Sequence, residues 1–317
     1  MSKETEKVFK SFAKYMDDHG HPESQEDLEI MLQSFMEEYN GNLGANASVT
    51  PVPASSSDDY MELAENAGSP EEALRFAKKA LKLDPDNLDA ESLVVALTAK
   101  DPFDMIKKYE AAIDHGNKVM EEQGYYDEEY EGEFWHVHQT RPYMRLRLAY
   151  IDALIEACMF DAAITEAEDL LELNDGDNTG MRYMLMSLYA LVGDEYSAIE
   201  LYRRFEEDSA MMLMPFSLLF YKKNDLNNAS KYLKLIMKHN PDLKKFLRST
   251  VVEDEDIFPK DFNPSMYRPY TQEEILVAVF EYDWLYMTVG MFFPWAYQEL
   301  EKSSKSNSKK GSKKKKK

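Results

Sequence analysis

Apolar residues recur at helical spacing along most of this chain. In four segments a small residue is followed by apolar residues four and seven positions later: Ala73/Ala77/Ala80, Ala163/Ala167/Leu170, Ala198/Tyr202/Phe205 and Ala229/Leu233/Ile236. This spacing places the residues of each segment on one face of an α-helix. Gly and Pro are few, 12 and 13 residues, whereas good helix formers are abundant. The pattern therefore predicts an all-α protein.

The four segments also recur at a regular distance. Ala163 and Ala198 are 35 positions apart, and Ala198 and Ala229 are 31 apart. Repeats of about 34 residues built as helix–turn–helix are the signature of tetratricopeptide arrays. A small residue is expected where two helices cross closely. Because one hairpin cannot bury its apolar face alone, such hairpins stack into a solenoid whose concave face binds other chains.

Changes in composition divide the chain into five parts. Residues 1–40 resemble two short amphipathic helices, the second opened by Ser24 and Asp27 as a capping box. Residues 41–58 are rich in Gly, Ser and Pro and are expected to form a flexible linker. A repeat array of about five helix pairs is predicted for 59–241, a helical C-terminal cap for 242–301, and a disordered lysine-rich tail for 302–317.

Local signals place several boundaries inside the array and the cap. We predict one helix over 88–98, a long helix from Asp101-Pro102 to about Gln123, and an acidic aromatic loop over 124–135. Turns between paired helices are expected at Cys158-Met159, Gly193-Asp194 and Asn224-Asp225. In the cap, helices are predicted for 242–249, for Thr271 to about Met287, and for Pro294–Leu300.

Composition favours a soluble, cytoplasmic protein. Met1–Lys14 is polar and charged, unlike a secretory signal, and the most apolar run, Trp284–Tyr297, is shorter than the roughly 20 residues of a membrane span. The single cysteine, Cys158, excludes an intramolecular disulfide. It is expected to be a small buried hydrophobe on a helix face.

Charge is distributed unevenly. The chain has a net charge of −22, yet nine lysines and no acid lie from Lys302 onward, which leaves 28 basic against 59 acidic side chains before them. The acidic body argues against a nucleic-acid-binding surface on the fold. The tail would attract RNA, ribosomes or anionic lipid; alternatively it only solubilises the protein or folds back on the acidic body.

One stretch resembles a particular group of repeat proteins. Phe134-Trp135 is followed by Thr140-Arg141-Pro142-Tyr143-Met144-Arg145 and then by LNDGDNTGMRYML at 173–185. These motifs resemble bacterial tetratricopeptide proteins related to the suppressor-of-tumorigenicity-seven family. The resemblance covers roughly 59–300 and implies a helical-repeat fold and no established activity, so no catalytic residue is carried over. No cofactor is expected. Eukaryotic members associate with membranes, but this chain lacks their hydrophobic spans, so membrane attachment is not expected.

The repeat register selects a binding wall on the first helices. Each small residue is counted as position 20 of its repeat, and positions 2, 5 and 9 of the same repeat then lie on the concave face. These positions are Arg145, Leu148 and Asp152 in the first of three repeats, Gly180, Tyr183 and Ser187 in the next, and Met211, Met214 and Leu218 in the last. Such a wall suits an apolar or helical peptide. Alternatively the C-terminal helices fill it. The Lys/Asn clamp by which some family members hold chaperone C-termini is missing, so that ligand is not expected.

Two further groups of side chains are candidate sites. Arg141, Arg145 and Arg182 would together bind a carboxylate or phosphate; alternatively they pair with the acidic loop at Asp127, Glu128, Glu129 and Glu131. His136 and His138 have a chelating spacing but lack further ligands nearby, so a packed loop is expected rather than a metal site.

Motifs of nucleotide-binding, hydrolytic or nucleophilic enzymes are absent from the sequence. We therefore expect a non-enzymatic scaffold or adaptor that binds a peptide or helix on the concave face. The alternative is a ribosome- or RNA-associated factor recruited through the basic tail.

Overall fold

The computed structural model describes residues 8, 11, 12, 15, 16, 19–22, 24–45, 54–251 and 262–302. Within these residues the regular structure is helical, and pairing of extended backbone is limited to one isolated bridge between Glu133 and Asn174. The all-α class is thus confirmed. Packing divides the chain into two units, Met1–Leu97 and Thr98–Lys317, and the predicted repeat array 59–241 spans this division. The predicted tail beyond Lys302 lies outside the described residues.

The first unit contains four of the described helices: α1 (Gln25–Ala45), α2 (Ser57–Glu65), α3 (Pro70–Leu83) and α4 (Leu88–Thr98), the last residue of which falls beyond the division. The Ser24 hydroxyl accepts a hydrogen bond from the Asp27 amide at 3.1 Å, which confirms the predicted cap. The Phe35 ring packs 5.1 Å from that of Phe12, so the two N-terminal apolar faces meet. Because α1 continues to Ala45, helix occupies the start of the predicted linker 41–58.

The second unit contains eleven of the described helices. They are α5 (Pro102–Glu122), α6 (Arg141–Glu156), α7 (Phe160–Glu172), α8 (Met181–Val192), α9 (Glu195–Phe205), α10 (Ala210–Lys222), α11 (Leu226–His239), α12 (Leu243–Val251), α13 (Gln272–Phe280), α14 (Asp283–Tyr286) and α15 (292–302). Three consecutive antiparallel pairs, α6–α7, α8–α9 and α10–α11, pack as hairpins, and α8 also packs against α10.

The three hairpins share one turn geometry. Cys158, Gly193 and Asn224, which follow the first helix of each pair, have φ values of 57°, 83° and 59°. The next amide donates in each case to the carbonyl five residues earlier, as in Asp194 to Tyr189 at 2.9 Å. This is the Schellman ending of a helix, which satisfies carbonyls that would otherwise lack partners. The predicted turns are confirmed, and they recur at the spacing of the sequence repeat.

Two of the three second helices, α9 and α11, begin with side-chain caps, and all three bury a small residue. Asp194 and Asp225 accept hydrogen bonds from the amides of Ser197 and Asn228, each at 3.1 Å. Ala163, Ala198 and Ala229 of α7, α9 and α11 are each 0% exposed. Their burial agrees with the close helix crossing that the repeat pattern predicts.

The C-terminal segment differs from the prediction in one respect. The expected helix from Thr271 to Met287 is broken at Glu281 and Tyr282, so that α13 and α14 are separate. Thr271 caps α13 by accepting a hydrogen bond from the Glu273 amide at 3.3 Å. The break lets α13 pack against α10 while α14 packs against α8.

Candidate functional site

The predicted binding wall begins with the first helices of the hairpins, and its α10 part is covered. Met211, Met214 and Leu218 are 3%, 0% and 0% exposed, because α13 packs against α10. Ser187 of α8 is also buried, and its hydroxyl donates to the Tyr183 carbonyl of the same helix at 2.9 Å. These four predicted groove residues are therefore not available to a ligand, which corrects the open wall inferred from the repeat register.

A physical reason for this burial lies in α10 itself. Every residue from Ala210 to Phe220 is buried, so the helix is enclosed on all sides. A helix that is apolar all round has to be enclosed, whereas a groove helix keeps one polar or mixed face. The composition of α10 thus favours the alternative in which the C-terminal helices fill this part of the groove.

The buried carboxylate of Glu274 links α13 to the α10–α11 hairpin by hydrogen bonds. Glu274 is 1% exposed, and one of its oxygens accepts a hydrogen bond from the Ala210 amide at the start of α10, at 3.2 Å. The other accepts from the Asn240 side chain at 3.1 Å and from the Tyr270 amide at 2.9 Å. Desolvation raises the pKa of the Glu274 carboxyl, against the effect of these hydrogen bonds. Glu274 was not singled out from the sequence.

Further along the wall, α8 carries a tightly bonded tyrosine. Tyr183 is half-buried, and its hydroxyl donates to Glu207 at 2.7 Å. The Arg182 guanidinium lies over the Tyr183 ring, 4.2 Å from its centre. Burial, followed by the bond to Glu207, raises the pKa of the Tyr183 hydroxyl. Gly180, the remaining predicted residue here, has φ +74° and forms the N-cap of α8. These contacts hold the Tyr183 side chain in one position, so it is not free to adapt to different ligands.

The accessible part of the predicted wall lies on α6. Arg145 and Leu148 are half-buried, and Asp152 is exposed. Although water reaches the Asp152 carboxylate, desolvation raises its pKa, and repulsion from Glu156 and then Glu281 raises it further. Leu148 and Asp152 thus form an accessible surface on α6, which we call the α6 surface. Glu281 comes from the break between α13 and α14, so a charge of the C-terminal segment acts on the Asp152 carboxylate.

Two of the three predicted arginines, Arg141 and Arg182, are held by contacts within the protein. Arg141 is 1% exposed; its Nε donates to the Trp135 carbonyl at 2.7 Å, and its guanidinium lies 5.4 Å from the centre of the Trp135 ring. Arg182 pairs with Asp177 at 2.6 Å and with Glu207 at 2.8 Å. Arg182 is therefore held by internal ion pairs, as the alternative anticipated, but its acids are not those of the 124–135 loop.

The acidic aromatic loop instead borders a pocket of about 450 Å³. Its wall includes Tyr126, Glu131 and Phe134 from the loop and Asp169 from α7. Arg147 also lines it, and this arginine is bonded to Glu166 and, at 3.4 Å, to Asp169. Arg147 was not singled out from the sequence. Its position two residues after Arg145 places it on the opposite side of α6, facing α7.

The remaining candidates are the histidine pair and the single cysteine. His136 is exposed, and its Nε2 lies 3.8 Å from a carboxylate oxygen of Glu133. In the part of the chain that the structure describes, no group of three or more His, Cys, Asp or Glu is arranged to hold a metal ion. Cys158 is exposed, contrary to the prediction, because it occupies the left-handed turn position after α6 rather than an apolar face.

Compared with models of protein families and with curated proteins, the chain matches none of them. The resemblance to tetratricopeptide proteins therefore stays a prediction from the motifs and from the repeated hairpins. Among the helices of the described residues, none has both the length and the apolar character needed to cross a bilayer.

Proposed function

We propose that this protein is a non-enzymatic interaction scaffold of the tetratricopeptide type, which binds a short peptide segment of another protein on the α6 surface. The observation that carries this proposal is the contrast along the predicted wall. The α10 part is buried and packs against α13, whereas Leu148 and Asp152 of α6 remain accessible. A ligand that uses the concave face therefore binds at α6.

Repetition of the hairpins supports a scaffold role. Three hairpins repeat the same turn and the same buried small residue, and first helices α8 and α10 pack side by side. Stacked hairpins of this kind present side chains along a rigid surface, which suits the recognition of extended or helical peptides.

Negative charge at the α6 surface specifies the chemistry of the peptide. Desolvation raises the pKa of the Asp152 carboxyl, and repulsion from Glu156 and Glu281 raises it further. A lysine or arginine of the ligand relieves this repulsion. Leu148 lies one helical turn before Asp152 and offers an apolar contact beside the carboxylates. The preferred peptide thus carries a basic residue next to an aliphatic or aromatic one.

The test uses the full-length protein, immobilised and panned against a phage library of random twelve-residue peptides. We expect enriched peptides with a basic residue adjacent to an apolar one, and we expect Asp152→Lys to weaken a selected peptide by about tenfold or more, as for a charge pair that becomes repulsive. Asp114→Lys is the matched control, because Asp114 is an exposed acid on α5.

Absence of any sequence preference among the selected peptides, or equal binding by the Asp152→Lys and Asp114→Lys variants, would refute the peptide-binding function. Substitution of Met214 is unsuitable here, because that side chain is 0% exposed and its loss would affect folding.

A further inference from the structure

One region of this acidic protein has the opposite charge. Residues 222–251, which comprise α11, α12 and the turns before them, contain eight Lys or Arg and only two acids. Both acids have structural roles: Asp225 caps α11 by bonding the Asn228 amide, and Asp242 accepts a hydrogen bond from the Gln272 amide at 3.1 Å. The basic side chains therefore greatly outnumber the acids that lie between them in the sequence.

Three of these lysines share one exposed face of α11. Lys231, Lys234 and Lys238 are three and seven positions apart, which aligns them along the helix, and all three are exposed. Like charges this close repel one another by a few tenths of a kcal/mol per pair. Such a row is unfavourable for the isolated fold and becomes favourable against a polyanion.

Lysines from two further helices meet this row at the end of α15. Glu299 lies 3.5 Å from the Lys234 ammonium and 3.9 Å from that of Lys302. Glu301 lies 2.6 Å from the Lys244 ammonium of α12. The C-terminal end of α15 thus collects basic groups from α11, α12 and α15 itself.

A pocket of about 570 Å³ opens between α11 and α15. Lys231, Lys234 and Lys302 line it together with Ser230, Glu299 and Trp295. Trp295 is half-buried, and its ring is supported by that of Tyr221 at a centroid distance of 4.9 Å. The volume falls in the range of small-molecule sites and is large enough for one nucleotide unit.

We propose that this pocket binds single-stranded nucleic acid, with phosphates on Lys231, Lys234 and Lys302 and one base stacked against Trp295. Lysines that follow the backbone beside a rigid aromatic ring are the usual combination for single-strand binding. This site is made of elements other than α6 and is independent of peptide binding there.

One feature favours a nucleic acid over an anionic membrane. The site is a concave pocket with an aromatic wall, which accepts a flat base, whereas a lipid surface is planar.

Glu299, which accepts a hydrogen bond from the Ser230 hydroxyl at 2.9 Å, offsets part of the lysine charge. Phosphates must displace it from Lys234 and Lys302, and the release of counterions from the nucleic acid makes binding salt-sensitive. The eight lysines that follow Lys302 in the sequence can add further phosphate contacts.

The test measures fluorescence anisotropy of a labelled twelve-nucleotide oligouridylate RNA with the full-length protein over a range of salt concentrations. We expect Lys231→Glu/Lys234→Glu to weaken binding by about tenfold or more and to reduce the slope of log K against log salt by about 1.4, the value for two lost phosphate contacts on a single strand. Lys107→Glu/Lys118→Glu on α5 is the control, because both lysines are exposed and the net charge changes equally.

Two further comparisons with the full-length protein separate binding in this pocket from binding by the tail and from binding by charge alone. A variant with glutamine in place of the eight lysines after Lys302 should still depend on Lys231 and Lys234, and an abasic oligonucleotide of the same length should bind about fivefold or more weakly than its base-containing counterpart. The proposal is overturned if the α11 variant behaves like the α5 control, if the abasic strand binds equally well, or if anionic phosphatidylserine vesicles bind and the RNA does not.

Discussion

Replacing Arg182 by methionine removes a guanidinium that bonds two carboxylates at once. Arg182 lies 2.6 Å from Asp177 and 2.8 Å from Glu207, and it links the turn before α8 with the segment between α9 and α10. Methionine keeps an unbranched apolar stem of similar length. The substitution therefore removes the charge and the hydrogen bonds with little change in packing.

The burial of the two carboxylates indicates how much stability Arg182→Met should cost. The Asp177 side chain is 0% exposed and that of Glu207 is 25% exposed. Removing one partner of a buried ion pair costs about 3–5 kcal/mol. Part of this loss is offset, because Asp177 still accepts hydrogen bonds from the Met181 and Arg182 amides, at 2.6 and 3.1 Å. We therefore expect the free energy of unfolding to fall by about 2–4 kcal/mol.

Urea unfolding followed by tryptophan fluorescence is a selective assay for this loss. All three tryptophans, Trp135, Trp284 and Trp295, belong to the second unit, so the signal reports the unfolding of that unit. Arg203→Met is the control. Its pair with Glu200 is exposed, at 69% and 48% of the two side chains, so its loss should cost about 0.5 kcal/mol or less. A difference below about 1 kcal/mol between the two variants would refute the structural role of Arg182 and restore it as an anion-binding candidate.

The same unfolding assay checks three further expectations. Ala198→Leu should destabilise the second unit by about 1–3 kcal/mol by overpacking a site that is 0% exposed. A loss no larger than that of Ala162→Leu, at a half-buried position in the first turn of α7, would contradict the close crossing. Gly132→Ala should cost about 1–2 kcal/mol, because its φ is +72° and the added carbon would lie 2.8 Å from Asp175; an unchanged stability would contradict the turn geometry. Hydrogen bonds from Ser209, Tyr183 and Arg182 hold the pKa of the Glu207 carboxyl below its usual 4.5 despite desolvation. The unfolding free energy of the native protein should therefore exceed that of Glu207→Gln above pH 4.5, and this excess should be lost as the pH falls through the lowered pKa. A constant difference in unfolding free energy from pH 7 to 3 would contradict this expectation.

Much of the local structure could be predicted from the sequence because it depends on near neighbours. Gly193 and Asn224 tolerate the left-handed conformation, and the Asp residues that follow them cap the next helix. Cys158 shows the limit of reading a residue by its type alone. It was expected to be buried, yet it occupies the same turn position as Gly193 and Asn224, and aligning the three hairpins by their turns would have identified it as exposed.

Contacts between distant parts of the chain could not be predicted in the same way. Asp177 is five residues from Arg182, so this ion pair could be predicted from the local sequence. Glu207 lies 25 positions from Arg182, and the α8–α9 hairpin brings the two side chains together. Likewise Glu274 meets the Ala210 amide across 64 positions. The cover over α10 depends on such a contact, although the apolar character of α10 on all sides already indicated that something had to enclose it.

Net charge says little about the charge of any one surface of this protein. A value of −22 suggests that the whole folded surface repels phosphates. At physiological salt, however, charges further apart than about 8 Å are largely screened, so a polyanion responds to the groups immediately around it. The row of Lys231, Lys234 and Lys238 therefore determines the local field at α11, just as Asp152 and Glu156 determine it at the α6 surface. A single average charge cannot describe two surfaces of opposite sign, and charge reversal at one of them should leave binding at the other unchanged.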